Sequence, residues 1–356
     1  MKTALTERFG LTYPVMSAGM ARVAQAPLVA AVSEAGGMGC LGGVSYLADA
    51  LRDEIRAIRQ ATTKPFAVNL LVPPKFVGDA SVGDAADDWE PVRQRWQSLS
   101  PAEREKLRGV EPMLTPGAVA HQVEVVLAER PAAVVLTFDA PEWFVTECHA
   151  RQIAVLALVG SVSRAQQAAV AGVDMIVAQG TEGGGHTGYI STMVLVPAVI
   201  DAVDVPVLAA GGIVDGRGLA AARCLGAHGV WMGTRFIASI EAYGHAAYKQ
   251  RVLEARSKDT TLSKAYTGKP LRTIKNRWTD EWAGRTAEIE GFPAQYAVAG
   301  VRVESAYQDG DLDYGMMPAG QAVESVHEIL PAGEIVRSIG DEADRILAGL
   351  SSEVRR

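Results

Sequence analysis

The sequence predicts a closed (β/α)8 barrel, and three observations carry that prediction. Eight short apolar runs recur along the 356 residues, each run is nearly continuous in hydrophobicity rather than alternating, and segments with helical spacing separate them. Continuous apolar runs mark parallel strands buried on both faces. Helices alternating with such strands mark βα units, and eight units close a barrel. An open doubly wound sheet is the competing architecture. No glycine-rich dinucleotide fingerprint follows the first run, which counts against it.

The elements follow in order. The first run, residues 14–18, precedes an alanine-rich helix over 26–35 that stops at Gly36-Gly37, a C-cap signal. The second, 38–42, leads to a helix over 47–61 with Leu51, Ile55 and Ile58 at helical spacing. The third, 66–71, holds one polar residue, Asn69, and is followed by a charged insertion over 73–115 with helical pieces near 91–99 and 101–107. A helix over 116–129 precedes the fourth run, 133–138, and the fifth run is 153–159. A helix over 162–171 then ends at Gly172, before the sixth run, 174–179. Helices over 193–203 and 218–225 follow the sixth run and the seventh, 206–210; the eighth run is 229–233. Residues 240–313 are polar and tyrosine-rich and read as a helical lid over the barrel mouth. Helical character returns at 321–330 and 333–347, the latter as the eighth barrel helix. The expected division is therefore a barrel from 1–239 and 314–356, with a smaller helical lid inserted before the last helix.

Composition narrows the function. The net charge of −7 gives no electrostatic footprint for nucleic acid or an anionic membrane. The N-terminus has no apolar signal region, and no apolar stretch approaches the ~20 residues of a membrane helix. Cys40, Cys148 and Cys224 are scattered without metal spacing and read as reduced, small buried hydrophobes of a cytoplasmic protein. No metal site is expected. The oligomeric state stays open, a homodimer being one option.

The chemistry concentrates at AQGTEGGGHTG, residues 178–188. Gly180, Gly183, Gly184 and Gly185 surround a single histidine directly after the sixth run. Glycine lets backbone approach a ligand at an entropic cost of roughly 0.5–1 kcal/mol per residue, so the loop reads as a wall against a flat or phosphorylated ligand with His186 aimed at it. Two more glycine turns, Gly211-Gly212 after the seventh run and Gly233-Thr234 after the eighth, sit where barrels bind phosphate. Thr234 adds a hydroxyl. One ligand bridging both regions fits FMN, its phosphate at runs seven and eight and its ring over the barrel mouth. Gly19 and Met20 would border the ring, and Asn69 and Gln179 would hydrogen-bond the cofactor.

The stretches PVMSAGMARVAQAPLVAAVSEAGGMGCLGG (14–43), AVNLL (67–71), AQGTEGGGHTG (178–188) and PVLAAGGIVDGRGLAAARCLGAHGVWMGTRF (206–236) resemble the nitronate monooxygenase family, formerly 2-nitropropane dioxygenases, itself similar to FMN-dependent enoyl-ACP reductases. The resemblance implies a TIM-like barrel with a helical domain, non-covalent FMN, and His186 as the catalytic histidine. It implies cofactor contacts from Gly19, Met20, Asn69, Gln179, Gly184, Gly212 and the turn Trp231, Met232, Gly233, Thr234. Gly180, Gly185 and Gly211 join them from the glycine pattern. The sequence departs from the family at Glu182-Gly-Gly-Gly-His186, where Glu-Ala-Gly-Gly-His is common, and at Phe138-Asp-Ala-Pro-Glu142, which puts the carboxylate of Asp139 near the site.

The implied reaction is oxidation of an alkyl nitronate by O2 to a carbonyl compound and nitrite. His186 would either stabilise the nitronate as a cation or, neutral, remove the α-proton of a nitroalkane. The alternative is an FMN-dependent reductase passing hydride from NAD(P)H to an enoyl thioester, a quinone or a CoA-linked substrate. His121, His149, His228, His245 and His327 have no paired ligands in sequence. The basic run Lys269, Arg272, Lys275, Arg277 reads as a solvated lid face, or as a seat for the phosphate of a pyridine nucleotide or acyl-CoA.

Overall fold

The computed structural model describes residues 1–72, 116–137, 139–292 and 294–354, with 90, 94, 97, 98 and 100–102 of the insertion. Most of the 73–115 insertion, including the helical pieces expected at 91–99 and 101–107, lies outside the described residues. So does Phe138 at the end of the fourth run.

Eight parallel strands form one sheet: β1 (Val15–Ser17), β2 (Gly39–Leu41), β3 (Phe66–Leu70), β4 (Ala133–Thr137), β5 (Ala154–Val159), β6 (Met175–Gln179), β8 (Val207–Ala210) and β9 (Val230–Met232). Their order is β1-β9-β8-β6-β5-β4-β3-β2, and a parallel bridge between Met16 and Met38 joins the two edges into a barrel. Alternate residues split between two apolar layers. Met16, Cys40, Ala67, Val135, Leu156, Val177, Leu208 and Trp231 fill the interior. Val15, Leu41, Val68, Val134, Val155, Ile176, Val207 and Val230 face the surrounding helices. Both layers being apolar is why the runs read as continuous.

The helices stop where the chain supplies caps. Ser161 caps the helix Val162–Val170, and Gly172 follows it at φ +88°. A short N-terminal helix, Ala4–Phe9, was not legible in the sequence. It closes a capping box at Thr3 and drives Leu5 into the barrel interior beside Gly229, at the end opposite the strand C-termini. The final helix, Ala332–Val354, packs on Gly216–Cys224 and on Ala26–Glu34.

Two expectations need correction. Residues 321–330 are not an α-helix: a short 3-10 turn, Gln321–Ser325, gives way to extended chain whose Leu330 bridges Ser239. Leu330 exchanges backbone hydrogen bonds with Ala238 and Ile240 rather than with a helical turn of its own. Residues 240–313 are also not purely helical. Besides Ala246–Glu254, Arg277–Ala283 and Ala294–Asp309, they hold antiparallel strands β10 (Thr260–Ser263) and β11 (Leu271–Ile274). Strand β11 pairs onward with β7 (Gly185–His186), setting Leu271 opposite His186 and Arg272 opposite Gly185. Among the described residues no helix is long and apolar enough to cross a membrane.

Candidate active site

A cavity of about 350 Å³ opens at the C-terminal ends of the strands. The ends of β1, β3, β6, β8 and β9 and the loops that follow them bring Gly19, Met20, Asn69, Gln179, Gly184, Gly185, His186, Gly211, Gly212, Trp231, Met232, Gly233 and Thr234 to its wall. Gly180 is the exception and stands off the wall. A Cβ there would lie 2.1–2.5 Å from Thr192, so its smallness serves the packing of the helix Thr192–Ile200. Gly184 is likewise held small by chain packing, at 2.8 Å from the backbone of Ala319 and Gly320. The two side chains of the β9 end divide: Trp231 belongs to the barrel interior and Met232 to the outer layer.

The glycine loop is tied down. Gln179 Nε2 donates to the His186 carbonyl (2.7 Å), and the Thr187 hydroxyl donates to the Gly180 carbonyl (3.0 Å). The Glu182 carboxylate accepts from the Thr192 N–H (2.9 Å) and hydroxyl (2.8 Å). Buried Arg272 donates from Nε to the Thr181 carbonyl (2.8 Å). The basic run is therefore not one solvated face. Arg272 braces the loop, Lys269 lies 4.5 Å from the Phe292 ring centroid, and only Lys275 and Arg277 are exposed.

His186 Nε2 lies 2.9 Å from the Thr267 hydroxyl. Nothing in the sequence singled out Thr267, which is 81 residues away; the β7–β11 pairing is what delivers it. The ring is held neutral: desolvation in the cavity, then the nearby Lys269 ammonium, push its pKa down to about 4. At neutral pH the imidazole is therefore uncharged. Replacing Lys269 with Met is expected to raise the His186 pKa without restoring 6.5, because desolvation is the larger cause. An NMR pH titration of the imidazole checks this, and an unmoved titration would count against the assigned cause. The native state disfavours the protonated ring, so this group's contribution to stability is present above pH 6.5 and is lost as pH falls towards 4.

Charge near the site is largely spent. Asp139 does not line this cavity; it pairs with Arg164 at 2.6 Å beside a smaller pocket. His228 Nδ1 accepts from Ala4 N–H (3.3 Å), His245 caps its helix through Ala247 N–H (3.1 Å), and His149 pairs with Asp174 (3.0 Å). Among the described residues no group of three or more His, Cys, Asp or Glu could hold a metal. Cys40 and Cys148 are buried as expected, but Cys224 is exposed near the end of its helix.

The model of the nitronate monooxygenase family matches residues 2–342 of this chain. The chain belongs to the nitronate monooxygenase family. Within this family of oxidoreductases, a Staphylococcus saprophyticus protein named probable nitronate monooxygenase is 32% identical, covering 98% of this chain and 99% of its own. Nitroalkane oxidase from Streptomyces ansochromogenes superposes with a TM-score of 0.81 at 28% identity, covering 98% of this chain and 100% of that one. FabK from Thermotoga maritima superposes with a TM-score of 0.80 at 31% identity, covering 99% of each. The likeness to these structures runs over 98–99% of the chain and so takes in the barrel and the 240–313 segment alike.

Proposed function

We propose that this chain binds FMN in the cavity and oxidises alkyl nitronates, or their parent nitroalkanes, with O2 to a carbonyl compound and nitrite. The observation that carries the reading is a neutral histidine lining the cavity, its Nε2 against a hydroxyl. FMN is supported by the donor set. Gly211 and Gly212 both adopt positive φ (+96° and +72°), and the N–H groups of Gly212 and Thr234 have no partner among the described residues. They would hold a phosphate together with the Thr234 hydroxyl, whose oxygen already accepts from Gly320 N–H (2.9 Å). Asn69 commits Nδ2 to Val135 and Thr137, and Gln179 commits Nε2 to His186, so each offers the cofactor its amide oxygen.

Bound FMN would supply the electron acceptor. The protein's part is proton transfer and placement: neutral His186 takes the α-proton of a nitroalkane on a ring nitrogen, and Lys269 supplies positive charge as the anion forms. Thr267→Val is expected to lower kcat/KM for nitroethane roughly three- to tenfold, the worth of one hydrogen bond, with Thr267→Ser restoring it. Equal activity in the Val variant would remove Thr267 from the site chemistry.

Anaerobic stopped-flow tests the whole reading. Rapid bleaching of the flavin band by ethyl nitronate, with none by NADH or NADPH, is the expected result. The likeness to FabK favours the reductase as second reading; bleaching by a nucleotide alone would select it.

A further inference from the structure

Strand β4 is apolar from Ala133 to Leu136 and ends in a hydroxyl, Thr137. Alternate residues Ala133 and Val135 fill the barrel interior, and Thr137 continues that series at the top, opposite Leu158 of β5. Thr137 and Leu158 both line the cavity. The hydroxyl is oriented by its neighbour. One side-chain atom of Asn69 approaches the Val135 carbonyl at 2.8 Å and Thr137 Oγ1 at 2.9 Å. A carbonyl only accepts, so that atom is the amide nitrogen, and its second proton goes to Thr137. The Thr137 oxygen therefore accepts from Asn69, and its own proton points elsewhere. Among the described residues nothing accepts that proton. A donor on the wall of a cavity that closes over a ligand must find its acceptor on the ligand.

The barrel order fixes the side of the mouth on which that acceptor lies. In the closed ring β1-β9-β8-β6-β5-β4-β3-β2, β4 stands diametrically opposite β9 and two places from β6. Thr137 is thus across the mouth from the Gly233-Thr234 turn and on the same side as the His186 loop. Lys269 belongs to this side too. Its ammonium, disfavoured first by burial, is favoured by the Asp139 carboxylate two residues beyond Thr137, and it acts in turn on His186. A neutral imidazole, a cation and a hydroxyl donor are gathered away from the phosphate turns. When a C–H beside a nitro group loses its proton to a ring nitrogen, the C–H electron pair forms a C=N bond and negative charge collects on the two oxygens. A fixed cation and a fixed donor stabilise charge that develops in this way.

We propose that Thr137 is a further catalytic residue, its hydroxyl donating a hydrogen bond to the substrate oxygen on which this charge develops. The identity of the substrate rests on the nitronate reading; the donor does not. Propanoate, whose carboxylate is planar and anionic like a nitronate, probes the donor without turnover, its binding followed through the visible band of the flavin-loaded protein. A hydrogen bond to a charged oxygen is worth roughly ten- to a hundredfold in affinity. Thr137→Val is expected to bind propanoate at least ~10-fold more weakly than the parent, and Thr137→Ser to restore binding. Flavin retention and the flavin's reduction potential should match the parent in both. Thr137→Ala, expected to weaken binding in the same direction, serves should the Val variant not fold. Unchanged propanoate affinity without the hydroxyl would overturn the proposal. So would a shifted potential or lost flavin, which would give the hydroxyl to the flavin or to Asn69 instead. If the loss and its rescue are seen while neither nitroethane nor ethyl nitronate is turned over, the donor stands and the nitronate reading falls.

Discussion

His186→Asn is expected to retain flavin and to lose about 10²–10⁴-fold of turnover on neutral nitroethane, the range that one positioned base contributes. Asparagine keeps a polar side chain facing Thr267 but cannot take a proton near neutral pH. The effect should be smaller on preformed ethyl nitronate, which has already lost its α-proton. That contrast is diagnostic. Equal loss on both substrates would assign the histidine to binding rather than proton removal, and undiminished turnover on nitroethane would remove it from the chemistry. If the neutral ring is the base, as proposed, the acid limb for nitroethane in the parent enzyme should fall near pH 4 rather than 6.5.

Gly180→Ala is expected to be the most damaging conservative change in the glycine loop, although Gly180 touches no ligand space. The new methyl would lie 2.3 Å from the Thr192 nitrogen and 2.5 Å from its Cα. Backbone cannot yield as a flexible side chain can, so the start of the helix Thr192–Ile200 must move. That shift would break the bonds from Thr192 to Glu182 and to the Gly211 carbonyl (3.0 Å). Overpacking of this kind costs about 1–3 kcal/mol, more where backbone is displaced. A fall in Tm of several degrees, together with weakened flavin retention, is the expected readout by thermal melting and gel filtration. Gly185→Ala makes the useful contrast. No described atom lies within 4 Å of its Cβ position, so its penalty comes from a φ of +76° alone.

These two residues also mark how far the sequence could be read. The barrel was legible because both faces of every strand are buried, leaving apolar runs without alternation. The cavity was legible because its glycines follow those runs directly. The reason for each glycine was not. A sequence shows that Gly180 and Gly184 lack side chains, but not whether a ligand or a neighbouring helix occupies the space. Thr267 was hidden because it lies 81 residues from His186 and is brought to it only by the pairing of β11 with β7. Strands β10 and β11 are four residues each, with only one to two hydrophobic residues apiece, too little pattern to distinguish from a polar helical segment. Arg272 looked solvated among other cations, yet its guanidinium is consumed by a backbone carbonyl.

The pairing of β7 with β11 has a consequence for engineering. The histidine's backbone is a strand of the same small sheet as Leu271–Ile274. Exchanging residues 240–313 for the corresponding segment of a relative would therefore exchange the scaffold that orients the imidazole, along with part of the cavity wall. A chimera cut at the barrel rim would inherit a misaligned His186. One cut to include 178–188 with the transplanted segment would carry histidine and scaffold across as a unit.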